Sequence, residues 1–189
     1  MSVASIEQHS GPWTVADVLA LDEDRRYRYE LLGESLVMSS APGLRHQRAA
    51  FRLHVALDAA ARAAGAPVEV LEAINVTLPS GLVVPDIVVA DAGATAEDGV
   101  SIDAEAVLLV VESVSPGNAT MDRRFKPLLY AEAGIPAYWR LESDPGPMLV
   151  ISELQGSRYI ERTTALAGFV TGVSEPFPFQ IDPAGLTRQ

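Results

Sequence analysis

The chain has 189 residues, 48% of them hydrophobic, with no cysteine and a formal net charge of −11. This length favours one domain, and we expect a single domain over residues 1–189 with flexible termini at 1–12 and 182–189. The absence of cysteine excludes disulfides and thiolate metal sites, and the acidic charge counts against nucleic-acid binding without excluding it. We expect a cytoplasmic protein, because neither a signal-like leader nor a membrane-length apolar run is visible.

The first half of the chain predicts a hairpin, a long helix and several strands. Two strand-like runs, "YRYELL" and "LVMSS", flank a turn that contains glycine, which indicates a hairpin. Residues 45–65 carry apolar side chains at helical spacing and finish on glycine, so we expect a helix that ends at Gly65. Branched residues in 68–79 and 82–91 predict strands, and a polar loop should follow over 91–105.

The second half alternates strands with one helix. The apolar run "AVLLVVESV" is typical of a strand covered on both faces. We expect a helix in "DRRFKPLLYAEAG", a strand in "PAYWRLE", and a further hairpin in "PMLVISEL" and "RYIERTTA". The aromatic residues of this half should mostly pack in the core: Tyr130, Tyr138 and Trp139.

Two carboxylates interrupt these apolar strands. Asp86 follows Pro85 in "LVVPDIVV" and Glu112 follows "VLLVV", and an isolated buried carboxylate is costly unless it is paired or neutralised. Either residue could instead lie at a strand end and reach water. If both lie at adjacent strand ends, they repel by roughly 4 kcal/mol at an effective dielectric near 20. A divalent cation removes that repulsion, and such oxygen ligands suit magnesium or manganese.

Lys126 is the only lysine in the chain. A helix that starts near Asp122 and packs back on the strand ending at Glu112 would bring its ammonium group to the metal. There it could orient or help to deprotonate a water molecule and stabilise charge on a phosphoryl group. The alternative is a surface residue in or near the first helical turn, because Pro127 follows it.

The residues then resemble a known pattern. Pro85-Asp86 followed by Glu112-Ser113-Val114 resembles the PD-(D/E)XK nuclease signature, with Val114 where the motif usually has lysine. Many members of that superfamily carry the lysine on the next helix, and Lys126 is placed for such a migrated form. Over residues 13–155 the chain resembles the Uma-type putative restriction endonucleases in four ordered segments: "YELLGESLVMSSAPGLRHQ", "VVPDIVV", "VVESVSP" and "DRRFKPLLYAEAGIPAYW".

The resemblance implies a fold and a metal site. The fold is a restriction-endonuclease-like core of α/β class, an α+β mixed sheet with flanking helices and β-hairpins. The implied cofactor is Mg²⁺, with Mn²⁺ as a substitute, held by Asp86 and Glu112 with the carbonyl of Ser113 as a further ligand. Lys126 is the implied catalytic lysine.

The same resemblance draws attention to Glu30 and His46. Glu30 is either a third acid near the metal or a salt-bridge partner of Arg28 or Arg45. His46 either contacts a phosphate or a water molecule, or it caps or packs the start of its helix.

These features favour a metal-dependent nuclease that hydrolyses phosphodiester bonds, with DNA as the favoured substrate. We expect a homodimer, because two-fold symmetry is the simplest way to cut both strands of a duplex. The segment "EPFPFQI" offers aromatic residues that we expect to be exposed. The alternative is a catalytically inactive nuclease-fold binding or regulatory module, which the acidic charge and the absent in-motif lysine favour.

Overall fold

The computed structural model describes residues 6, 9–22, 26–96 and 98–187. Its strands are β1 (Tyr27–Leu32), β2 (Ser35–Ser40), β3 (Val68–Glu72), β4 (Asn75–Leu78), β5 (Gly81–Val83), β6 (Ile87–Asp91), β7 (Ser101–Asp103), β8 (Val107–Ser113), β9 (Ala137–Glu142), β10 (Met148–Gln155), β11 (Arg158–Leu166), β12 (Thr171–Val173) and β13 (Phe179–Ile181). The α-helices are α1 (Val15–Leu19), α2 (Leu44–Ala64), α3 (Lys126–Glu132) and α4 (Ala184–Thr187). A 3₁₀ turn spans Ala104–Ala106, and a π-helical turn spans Met121–Phe125.

Two mixed sheets organise the chain. The six-stranded sheet has the order β11-β10-β9-β8-β6-β3, in which only β8 and β9 are parallel neighbours. The five-stranded sheet has the order β2-β1-β5-β4-β7, and β12 pairs with β13 separately. The predicted hairpins are confirmed as β1–β2 and β10–β11. The mixed α+β architecture is therefore as the sequence predicts.

The central strands of the six-stranded sheet are covered on both faces. In β6, and in β8 after Val107, apolar side chains of odd residue number such as Val89 and Leu109 pack with Leu53 and Leu57 of α2. Even-numbered side chains such as Val88 pack in a second cluster with residues of the five-stranded sheet and α3. Successive side chains of a strand point to opposite faces, so two buried faces require a continuous apolar run. This explains why the segment "AVLLVVESV" is apolar over nearly its whole length.

Helix α2 forms as its apolar spacing predicts. Its buried positions recur every three or four residues, and Leu53 and Leu57 are fully buried against the sheet. The helix ends where Gly65 adopts a left-handed conformation, with φ of 62°, which glycine reaches at little cost. The helix thereby covers one face of the six-stranded sheet and places its first turn beside Asp86.

The helix predicted from Asp122 contains an irregular turn. The amide of Lys126 donates to the carbonyl of Met121, five residues back, so the chain is π-helical immediately before α3. Pro127 offers no N–H for the carbonyl of Arg123, and a locally wider turn accommodates the missing bond. Asp122 and Lys126 both face the same cavity as a result.

Two regions differ from the sequence-based expectation. The predicted loop 91–105 contains β7, which pairs in parallel with β4. The aromatic residues of "EPFPFQI" are buried rather than exposed: Phe177 and Phe179 are each 3% accessible, and Phe179 stacks on Trp139. Apolar contact with the core outweighs the turn-like prolines of that segment.

The described part of the expected flexible C-terminal segment is also tied to the core. The Oδ1 atom of Asp182 accepts hydrogen bonds from the amides of Gly168 (2.7 Å) and Ala184 (2.9 Å), and Leu186 is buried. At the other end, His9 stacks on Trp13 with ring centroids 3.8 Å apart. Residues 1–5, 7–8 and 188–189 of the expected termini lie outside the described residues. None of the helices that can be described is long and apolar enough to cross a membrane.

Candidate functional site

Strand pairing brings the two predicted carboxylates to one place. β6 and β8 are antiparallel, with Ile87 opposite Val111, so the residue before β6 lies beside the end of β8. Asp86 and Glu112 are both even-numbered and share a face of the sheet. They line one cavity of about 260 Å³ together with Glu30 and Lys126. The side chains that the sequence places far apart therefore converge.

Asp86 lies in a positive environment. Its Oδ1 atom is 2.6 Å from a guanidinium nitrogen of Arg28, and its Oδ2 atom accepts the amide hydrogen of Ser113 at 2.8 Å. The Nε2 atom of His46 is 2.9 Å from the same Oδ2, outside the angular range of a hydrogen bond. Burial opposes ionisation, but His46 and Arg28 outweigh it and hold the pKa of Asp86 at about 2. Asp86 is therefore a carboxylate at neutral pH.

Glu112, Glu30 and Lys126 form a second group. The Nζ atom of Lys126 lies 2.9 Å from Oε1 of Glu112 and 2.9 Å from Oε1 of Glu30. Glu112 also accepts a hydrogen bond from the Tyr130 hydroxyl at 2.6 Å, and Glu30 accepts one from the Val84 amide at 2.9 Å. Lys126 is 6% exposed, so the surface alternative for the lone lysine is wrong.

Asp122 is a further acid that sequence reasoning missed. It lines the same cavity and is 4% exposed, while its own backbone carbonyl accepts a hydrogen bond from the Tyr138 hydroxyl. Burial raises the pKa of Asp122 to about 6, although Lys126 acts in the opposite direction. In sequence it reads as a residue of the first helical turn. The spacing to Lys126, one helical turn, was the available signal.

The lining of the cavity carries excess negative charge. Among the described residues it includes four acids against two permanent cations, Arg28 and Lys126. Burial raises the pKa of Glu112 to about 8, again with Lys126 opposing, so protons neutralise part of the excess. Divalent cations such as Mg²⁺ and Mn²⁺ prefer carboxylate oxygens. The charge and the donor chemistry of the cavity fit such an ion.

Existing contacts occupy the same oxygens. Within the described ranges, no three His, Asp or Glu side chains are grouped so as to hold a metal ion. Asp86 engages Arg28 and the Ser113 amide, and Glu112 engages Lys126 through one oxygen. A metal ion held by Asp86 and Glu112 would therefore have to share these oxygens with their present partners or replace those partners.

The remaining predicted residues divide between two cavities. Among the described contacts Glu30 forms its ion pair with Lys126 and not with Arg28 or Arg45. Arg28 pairs with Asp86, and Arg45 donates to the Ser143 carbonyl. The N-cap of α2 is Gly43, so His46 does not cap its helix; it approaches Asp86 instead. Val114, at the usual lysine position of the motif, lines a neighbouring cavity of about 510 Å³.

Comparison with known proteins agrees with this architecture. No curated protein matches the chain. A solved structure described as a putative nuclease belonging to DUF820 from Anabaena variabilis ATCC 29413 superposes with a TM-score of 0.66. The identity is 15%, over 76% of this chain and 81% of that one, so the likeness is one of fold.

A family model described as "Uma2: Putative restriction endonuclease" matches residues 15–184, nearly the whole chain. This range includes β6 and β8, whose pairing brings Asp86 and Glu112 together. It also extends beyond residues 13–155 at the C-terminal end, where β12, β13 and α4 pack on the core. The chain belongs to the Uma2 family of putative restriction endonucleases.

Proposed function

We propose that the chain is a nuclease that hydrolyses phosphodiester bonds, with DNA as its substrate and a divalent cation, Mg²⁺ or Mn²⁺, as its cofactor. The observation that carries this proposal is the convergence of Asp86, Glu112 and Lys126 in one cavity whose acids outnumber its cations. Family membership supports nuclease chemistry. A carboxylate pair and an ammonium group are the parts that such chemistry needs.

Asp86 and Glu112 would hold the cation, with the Ser113 carbonyl as a further donor. The bound cation supplies Lewis acidity towards the scissile phosphate and lowers the pKa of a coordinated water. Glu30 anchors Lys126 through its 2.9 Å contact, so the ammonium group stays in place if Glu112 turns towards a metal.

Lys126 would orient the attacking water and offset charge on the transition state. Burial alone would lower the pKa of Lys126, but Glu112 and Glu30 raise it above its ordinary value. Lys126 is therefore a permanent hydrogen-bond donor, and deprotonation of water, the other role considered for it, is not part of the proposal. His46, whose Nε2 atom lies 2.9 Å from Oδ2 of Asp86, would keep that carboxylate in position or contact the phosphate.

One observation favours the second candidate, a catalytically inactive binding or regulatory module. Both oxygens of Asp86 already have protein partners, so the ion-pair network around this carboxylate is satisfied without any metal. A network of this kind is stable in itself when its geometry is good. The two candidates then differ in whether a divalent cation can enter the network.

Plasmid cleavage separates the two candidates. Supercoiled DNA is incubated with Mn²⁺ and the wild type, with Asp86→Asn, or with the control Asp58→Asn. Asp58 pairs with Arg62 on the surface of α2, so the control removes an aspartate from an Arg–Asp pair away from the cavity. Nicking or linearisation by the wild type and the control, and not by Asp86→Asn, is expected.

Cleavage by Asp86→Asn at the wild-type rate would reject the site. Absence of metal-dependent cleavage by the wild type and by both variants would favour the inactive module.

The homodimer remains a separate prediction. Light scattering at micromolar concentration should give about twice the mass of one chain, as the commonest symmetric assembly requires.

A further inference from the structure

We infer that Arg28 holds the place of the metal ion at Asp86 until a divalent cation binds, and then becomes a phosphate-binding residue for the nucleic acid. This inference rests on the proposed function, since it concerns the same site. It assigns a role to a residue that neither the motif nor the resemblance includes.

The Arg28–Asp86 contact is the shortest of the ion pairs at the cavity. The two atoms are 2.6 Å apart, and the Asp86 side chain is 4% exposed. Arg28 lies two residues before Glu30 in β1, so both side chains leave the strand on the same face. A guanidinium stays protonated at any working pH. Arg28 is thus a fixed positive charge at a carboxylate proposed to bind metal.

A divalent cation that coordinates Oδ1 of Asp86 would lie close to the guanidinium at that distance, and the repulsion between the two positive charges favours release of Arg28. A binding site that must first release an internal partner binds more weakly, by the fraction of molecules in which the partner is already released. The Arg28 contact is therefore expected to reduce the metal affinity of the free protein. Lys126 differs, because Glu30 holds it even when Glu112 turns away.

A second cavity lies beside Arg28, and the released side chain could turn into it. The Arg28 side chain is 24% exposed and lines both the carboxylate cavity and this adjoining cavity of about 510 Å³. The two cavities also share His46 and Asp86, so they meet beside the proposed metal site. A guanidinium released there would face the substrate, and its planar fork of donors matches a phosphate group.

Two substitutions of Arg28 separate the effect of its hydrogen-bonded contact with Asp86 from the effect of its positive charge. Arg28→Gln removes both, whereas Arg28→Lys keeps the charge and removes the forked donor. Arg62→Gln is the matched control, because it also removes an arginine from an Arg–Asp pair. Calorimetry with Mn²⁺ alone measures affinity, and fluorescence anisotropy of a labelled DNA duplex in Ca²⁺ measures substrate binding.

Both Arg28 variants are expected to bind Mn²⁺ more tightly than the wild type, by about tenfold for glutamine and about threefold for lysine. Both should bind the duplex in Ca²⁺ more weakly, by about tenfold for glutamine, because a charge-assisted phosphate contact is lost. The Arg62→Gln control should match the wild type in both measurements. Arg28→Lys also answers the inference if Arg28→Gln does not fold.

Wild-type Mn²⁺ affinity in Arg28→Lys would overturn the inference, whatever Arg28→Gln does, since tightening by glutamine alone would reflect net charge. Unchanged duplex binding in both variants would overturn the phosphate role. If the wild type and the variants all fail to bind Mn²⁺, the proposed function itself fails and this inference falls with it.

Discussion

The Asp86 side and the Glu112 side of the cavity each hold a buried carboxyl group, and the pKa values of the two groups shift in opposite directions. Asp86 is 5% exposed and Glu112 is 2% exposed. Despite burial, His46 and Arg28 hold the pKa of Asp86 at about 2, whereas burial raises the pKa of Glu112 to about 8. Arg28 pairs with Asp86, but Glu112 shares Lys126 with Glu30.

The difference shows that burial alone does not set the charge of a carboxylate. The balance of cations and hydrogen-bond donors around each oxygen decides whether ionisation survives desolvation. Asp86 is ionised at neutral pH beside its own counter-ion, whereas the pKa of Glu112 is raised by burial and its charge depends on the Lys126 ammonium that it shares with Glu30. Substitutions on each side should therefore have unequal effects on stability.

Lys126→Ala should have the largest effect, because it removes the cation that serves both Glu112 and Glu30. Cleavage should fall by at least about a thousandfold, as for loss of a preorganised transition-state donor. The free energy of unfolding should fall by about 3 kcal/mol, since two buried acids lose their partner. Single-turnover cleavage at saturating Mn²⁺ and urea unfolding measure the two effects.

Lys126→Arg serves as the charge-preserving control and should restore little activity, because a planar fork does not fit a site built for a compact ammonium. Val114→Lys combined with Lys126→Ala tests whether the charge can act from the motif's usual position. Val114 lines the neighbouring cavity, and partial recovery would identify the helix lysine as a migrated form. Cleavage by Lys126→Ala at the wild-type rate would end the assignment.

Asp86→Asn should cause the next largest loss of stability. The substitution leaves Arg28 without its counter-ion in a partly buried position, and we expect a loss of about 2–3 kcal/mol. The control Asp58→Asn disrupts a surface pair whose arginine side chain is 80% exposed and should cost less than about 0.5 kcal/mol. Equal losses in the two variants would remove the contrast between a cavity ion pair and a surface one.

Glu112→Gln should lower metal-free stability at pH 7 less than Asp86→Asn does, because burial raises the pKa of Glu112 to about 8 and so weakens what its charge contributes to the folded state. Cleavage should nevertheless be lost, since glutamine cannot supply the negative charge that holds a cation. Urea unfolding of Glu112→Gln and Asp86→Asn under the same conditions measures the difference between the two stability losses. A loss as large as that of Asp86→Asn would show that Glu112 is ionised in the folded chain.

Glu142 gives the smallest expected effect. Burial opposes ionisation of Glu142, but Arg123 and Arg140 lower its pKa below the ordinary value. A carboxyl with a lowered folded-state pKa contributes stability above its unfolded pKa, about 4.3 for glutamate, and loses it as the pH falls through the folded value.

Glu142→Gln should therefore lower the free energy of unfolding by only about 0.5 to 1 kcal/mol at pH 7, because the Arg123 side chain is half-exposed and solvent screens the pair. The difference from the wild type should shrink at pH 3. Urea unfolding at both values measures it, and a cost that does not depend on pH would contradict the ion-pair account.

The fold was largely predictable because it follows from periodicity. Alternation, glycine placement and helical spacing identify the long strands and α2, and the apolar run before Glu112 indicates a strand with two covered faces. The convergence of Asp86 and Glu112 also follows from strand parity. Short elements such as β7 and α4 carry too little pattern, and tertiary contacts fix them.

The ion-pair partners were not predictable to the same degree. Arg28 pairs with Asp86, 58 residues away in the sequence, instead of with Glu30, and nothing in the sequence indicates that contact. Asp122 enters the cavity through the π-helical turn before Pro127. Local propensity predicts a regular helix there, so the sequence offers no more than the one-turn spacing between Asp122 and Lys126 as a signal of this extra acid.

Calorimetric titration of Mn²⁺ into the metal-free wild type, Asp86→Asn and Glu112→Gln tests the central claim most directly. The claim is that the two sides of the cavity jointly hold one divalent cation. The account predicts one ion per chain for the wild type and at least about tenfold weaker binding for each variant. Wild-type affinity in either variant, or no binding by the wild type, would contradict it.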